Sequence, residues 1–210
     1  MNKQTIENEE GFTIIELLIA TSILSVILVM ASVMMTGIGR LYNKGISQSK
    51  IQSATRNITD DVSQRLQLDA QLSPQPTEVG GYNAYCIGET RYLYIIGKQL
   101  GDGNDGDGTP KVKPVLWRDK TPAGGCSSSN PDPSGVELVP TNARLIDFTI
   151  TPTSPYQISI GLAYGDIDLL NVTPDNPNFN INTTCKGSNS TEYCATAKLT
   201  TSATRRITGE

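Results

Sequence analysis

The chain has 210 residues, 37% of them hydrophobic and 18% charged, which is enough apolar material for one ordinary core. Its net charge is -4 and its Lys and Arg residues form no cluster, which argues against a surface built to bind nucleic-acid phosphates. Histidine is absent, which removes the commonest general base, the usual zinc ligand and the base of a catalytic triad; no GxSxG, HExxH or phosphate-loop context is present either, so no enzyme is expected.

The apolar residues crowd into the first fifth of the chain. From Phe12 to Gly39 the run FTIIELLIATSILSVILVMASVMMTGIG carries Glu16 as its single charge. As a helix it would be about 42 Å long, enough to cross a bilayer. The preceding MNKQTIENEEG is too polar for a secretory apolar region, and no A-x-A site follows the run, so the helix is expected to stay on the mature protein. A plain membrane anchor leaves Glu16 unexplained, because a carboxylate near the membrane centre costs about 2.5 to 3.5 kcal/mol. At the membrane edge the cost is smaller, and the positive end of a helix favours a carboxylate in its first turn.

Gly11, Phe12, Thr13, Glu16, Leu17 and Leu18, within GFTIIELLIA, resemble the cleavage and methylation signature of type IV pilins and type II secretion pseudopilins. The resemblance implies that a prepilin peptidase cuts after Gly11 on the cytoplasmic face and that the new amino group of Phe12 is methylated. It implies a single-pass chain held in the cytoplasmic membrane, then extracted by an assembly platform into a polymer of itself and other pilins. Glu16 would then meet the positive amino terminus of a neighbouring subunit, since a buried charge is tolerable only when paired.

The function so implied is that of a structural subunit, major or minor, of an extracellular type IV pilus, supporting adhesion, twitching motility or DNA uptake. A pseudopilin of a type II secretion system shares every one of these motifs, although the presence of Glu16 argues against the tip subunit of such systems. A reading of another class is a membrane-anchored extracytoplasmic domain that binds calcium or sugar. Two features depart from the usual pattern. The leader sets Lys3 against Glu7, Glu9 and Glu10, while Arg40, Lys44 and Lys50 lie on the far side, so charge alone would favour the reverse orientation. Val33 stands where a mid-segment proline is often found, leaving Gly37, Gly39 and Gly45 as the weak points of the helix.

Beyond Gly45, Ile51, Ala54, Ile58, Val62 and Leu66 recur at spacings of three and four, with Gln52, Arg56, Asp60, Asp61 and Gln64 between them. The pattern predicts an amphipathic continuation of the helix to about Ala70, ended by Pro74 and Pro76, and about 88 Å long if unbroken. The expected divisions are a leader at 1–11, a membrane or filament-core helix at 12–39, its amphipathic continuation at 40–72 and a sheet domain at 73–210.

Candidate strands run Arg91 to Gln99, Val112 to Arg118, Gly135 to Val139, Arg144 to Thr151, Gln157 to Tyr164 and Tyr193 to Thr204. In the fourth, Leu145, Asp147, Thr149 and Thr151 alternate with Ile146, Phe148 and Ile150, as in a strand with one inward face. The expected fold is α+β, a long amino-terminal helix packed on an antiparallel sheet domain, with the ladle shape of a type IV pilin.

Cys86, Cys126, Cys185 and Cys194 all follow the apolar run and form no CxxC pair, so disulfides outside the cytoplasm are expected. Of the three possible pairings, Cys185 with Cys194 closes a short polar loop and leaves Cys86 with Cys126; buried free thiols are the alternative. In GDGNDGDGTP, the oxygens of Asp102, Asn104, Asp105 and Asp107 suit calcium, but the EF-hand order is not met. A flexible hairpin tip without a cofactor is the preferred reading. The polar stretch from Thr173 to Cys194 reads as an exposed, disulfide-pinned loop where receptors would touch, and Asn171, Asn182 and Asn189 begin sequons that its composition makes common by chance.

Overall fold

The structure, a computed structural model, describes residues 11–68, 76–123, 125–126, 131–172, 178–187 and 193–206. A helix, α1, runs Ile14–Leu68. The chain divides into two compact units, Met1–Tyr42 and Asn43–Glu210.

In the first unit every described side chain is exposed, on all faces of the helix. Its few polar groups are satisfied locally. The hydroxyls of Thr21, Ser22, Ser25, Ser32 and Thr36 donate to carbonyls three or four residues back, at 2.7 to 3.1 Å. Such back-bonding is how hydroxyls are accommodated where no water is available.

The second unit holds the remainder of α1 and two antiparallel sheets. Sheet A is a meander of β1 (Thr77–Val79), β2 (Tyr82–Ile87), β3 (Thr90–Tyr94), β4 (Leu116–Lys120) and β5 (Val136–Glu137), in that order. Sheet B is β6 (Ala143–Ile150), β7 (Tyr156–Tyr164) and β8 (Ala195–Ala203). The face of α1 bearing Ile51, Ile58, Val62 and Leu66 joins Tyr85, Tyr92 and Tyr94 of sheet A and Leu145, Phe148, Ile160 and Leu162 of sheet B in one core. The ring of Phe148 meets that of Tyr94 edge-on at 4.9 Å. The fold is α+β, an apolar amino-terminal helix followed by a helical face packed on antiparallel sheets.

The buried face of α1 differs from its apolar pattern. Thr55 and Thr59 are buried, whereas Ala54 is only partly so. Their hydroxyls donate to the carbonyls of Ile51 and Thr55, both at 2.8 Å, so burial leaves no orphan donor. Leu68 is the last described helical residue, and the expected end at Ala70 and Pro74 lies outside the described residues.

The strands need corrections too. β1 and β2 were not expected from the sequence. Gly80 and Gly81 join them with φ of 57° and 85°, the left-handed pair that a tight two-residue hairpin demands. The expected strand from Arg91 to Gln99 ends at Tyr94, because Gly97, with φ of 82°, turns the chain so that Gln99 bridges to Arg144 of sheet B instead. The strand expected from Val112 starts only at Leu116, after Pro114, which has no N–H to give a ladder.

In β6 the expected alternation fails at a bulge between Leu145 and Asp147. One extra residue shifts the phase, so Leu145 shares the main core with Phe148 and Ile150, while Ile146 joins Ala163, Leu170 and Cys194 in a second cluster.

Polar groups fasten these layers. Asp61, on α1, accepts from the Tyr92 hydroxyl and from Arg118 Nη1, each at 2.6 Å, tying the helix to β3 and β4. Burial, and next the hydrogen bond to Asp61, push the Tyr92 hydroxyl well above the ordinary tyrosine range, so it stays a donor. Arg91 holds Asp119 through two bonds of 2.8 and 2.6 Å, with both side chains fully buried. Glu137 accepts from the N–H groups of Val115, Leu116 and Val139; burial raises its pKa against the opposing pull of those bonds.

Arg144, fully buried, pairs with Asp105 at 2.6 Å and donates to the Gly97 carbonyl at 2.8 Å. Asp105 Oδ1 also accepts from the N–H of Gly106 and of Ile167, each at 2.9 Å. Replacing Asp105 by Ala strands a buried guanidinium, and a loss of about 3 to 5 kcal/mol is expected. Asp102→Ala on the same loop, where the carboxylate is exposed, should shift stability by less than about 0.5 kcal/mol. Chemical denaturation of the two full-length variants in detergent checks the contrast.

Candidate processing and assembly site

The residues singled out at the amino terminus lie at the start of α1. Gly11, Phe12 and Thr13 precede the helix in an exposed, non-helical segment, and Phe12 is 82% exposed. The bond between Gly11 and Phe12 is therefore open to a peptidase without unwinding a helix. Among the described residues a Cβ on Gly11 would meet nothing within 4 Å, so none of them makes a steric demand for glycine there.

Thr13 caps the helix. Its Oγ1 accepts from the Glu16 N–H at 3.3 Å, and its carbonyl accepts from Leu17 N–H at 3.2 Å. Thr13 and Glu16 thus have the T-x-x-E spacing of a capping box, and the carboxylate sits in the first turn where the helix end is positive. Among the described residues no cation pairs with the Glu16 carboxylate.

The apolar surface itself is large. The helix is long and apolar enough to cross a membrane, and its apolar stretch is unburied. Ile14, Ile15, Leu17, Leu18, Leu24, Met30 and Met35 are all more than half exposed. A helix apolar on every face belongs in lipid or inside an assembly.

The other candidate residues fall elsewhere. Cys86 is joined to Cys126 and Cys185 to Cys194. The four oxygen-bearing residues of the glycine-rich loop are not brought to one point. Asp102 pairs with Lys113, Asp107 holds the N–H and hydroxyl of Thr109, Asn104 bridges to Pro110 and Asp105 is committed to Arg144. Among the described residues no three acidic, Cys or His side chains form a metal-holding group. The loop is not a free hairpin tip, because Asp105 anchors it in the interior. Of the sequons, Asn189 lies outside the described residues, while Asn171 and Asn182 are exposed.

Residues 7–32 match the family described as the prokaryotic N-terminal methylation motif. The amino terminus is prepilin-type. This is the cleavage and methylation signature of type IV pilins and pseudopilins, and it covers the leader junction and the first turns of α1. No curated protein and no solved structure matches the chain. The prepilin-type signature supports a pilin-like or pseudopilin-like structural protein, processed by a prepilin peptidase and assembling with other chains of its kind. Together with the apolar helix it is consistent with membrane anchoring before assembly.

Gly11→Val gives this reading a direct test. Among the described residues a Cβ at this position has open space, so folding should be unaffected. The variant should keep its leader, seen as an intact amino terminus by mass spectrometry. Normal trimming would show that Gly11 is not the recognised residue.

Proposed function

We propose that the chain is a structural subunit of a type IV pilus, stored in the cytoplasmic membrane and polymerised through the first half of α1 after cleavage between Gly11 and Phe12. The observation that carries the reading is the first half of α1, exposed on all faces, with Glu16 in its capped first turn as the single charge up to Gly39. In lipid this helix is stored; in a filament its faces are covered by the same helix of neighbouring subunits. Cleavage creates an amine at Phe12 with a pKa near 8, positive at neutral pH, and Glu16 receives that amine from a neighbour. The pair sets the axial register, because a subunit displaced along the filament would bury Glu16 unpaired. Adhesion, motility or DNA uptake then depends on the filament that the subunit joins.

Glu16→Gln separates register from capping, since glutamine serves equally in a capping box. The variant should be trimmed and membrane-held, while its yield in sheared filaments falls by about a hundredfold, the worth of a few kcal/mol of lost pairing. An unchanged filament yield would remove Glu16 from assembly.

A further inference from the structure

The two outer edges of sheet B carry opposite charge. β8 is its last strand, and a groove between β8 and α1 is lined by Gln52, Thr55, Arg56, Thr196 and Lys198, with two exposed cations and no carboxylate. The Gln48 amide caps the Thr196 carbonyl at the end of this groove, at 3.1 Å. Neither Arg56 nor Lys198 has a charged partner among the described residues.

At the other edge, β6 is bridged by Gln99, and the Asp105 loop packs beyond it. Asp102, Asp107 and Asp168 are exposed there, and a Cβ on Gly106 would lie 2.7 Å from Asp168 Oδ1, which places the loop against the turn at Ile167–Leu169. Lys111 and Lys113 offset only part of this charge, through Asp166 at 3.9 Å and Asp102 at 2.8 Å. The cleft beside this corner is lined by Gln99, a side chain 1% exposed whose Nε2 is spent on the carbonyls of Asn142 and Gly165, and whose Oε1 has no donor among the described residues. The exposed acidic groups call for cationic partners.

We propose that in the assembled filament the Arg56–Lys198 groove of one subunit receives the Asp102–Asp168 corner of the next, a contact between two different patches of the same chain. Such a heterologous contact can propagate as an open helix and so is compatible with a helical polymer, whereas a self-complementary patch would stop at a dimer. The inference rests on the filament reading given above. Exposed ion pairs contribute little to affinity, so the apolar helices supply the cohesion and this contact selects which head faces which.

The test is a double charge reversal in full-length chains. Arg56→Glu with Lys198→Glu should lower the yield of sheared filaments about tenfold by setting like charges together, and Asp102→Lys with Asp168→Lys should do the same. All four reversals in one chain restore complementarity and should restore the yield. Thermal unfolding of the detergent-solubilised variants, expected to match wild type, separates lost contact from lost fold. If wild type forms filaments and either two-residue variant does so equally well, or the four-residue variant is no better than the pairs, this contact is wrong and the filament reading stands. If wild type forms no filaments, both fall together.

Discussion

The structure depends on one solvent constraint: the first half of α1 cannot rest in water. Its side chains from Phe12 to Met35 are apolar on every face, and the few hydroxyls among them bond to their own helix. An amphipathic helix is stabilised by covering one stripe, but a helix of this kind is stable only when it is surrounded. Lipid and a sheath of like helices are equivalent hosts in that respect, so on the proposed reading one element serves as both anchor and polymer core. Glu16 is what distinguishes the two hosts. At the capped first turn it would rest near the membrane edge at modest cost, whereas in the proposed filament core it would be tolerable only opposite a cation.

The second unit answers to ordinary rules of burial. Its core is shared by one face of α1 and both sheets, and its fully buried arginines are each paired with a carboxylate. Arg91 with Asp119 secures the middle of sheet A, and Arg144 with Asp105 secures the junction between the long β3–β4 connection and sheet B. Removing both members of such a pair is often harmless, but removing one leaves a charge without solvent or partner, so these nodes fix arrangement more than they add net stability. The two disulfides restrain a loop beyond sheet A and the polar stretch before β8.

Much of this was legible in the residues because the signals were strong and local. The Gly11 to Leu18 constellation, the unbroken apolar run and the three-four spacing from Ile51 to Leu66 all report on short stretches of chain. The α+β class followed from a helix preceding several β-rich runs. What escaped depends on distant partners. Asp61 sits among polar helical residues and looks solvated until Tyr92 and Arg118 arrive from sheet A. Asp105 looks like one more oxygen in a glycine-rich loop until Arg144 takes it. The bulge in β6 leaves no mark in the alternation of its own residues. Two signals were present and overlooked: the Gly80–Gly81 pair between β-forming runs, and the Thr13–Glu16 spacing of a capping box.

The central claim is that this chain leaves the membrane as a trimmed subunit of a polymer. Mass spectrometry of the amino terminus, on protein sheared from cell surfaces and on protein left in membranes, tests it most directly. The account predicts N-methylated phenylalanine, Phe12, at the start of the chain in the sheared fraction. A chain that begins at Met1 and is found only in membranes would contradict it.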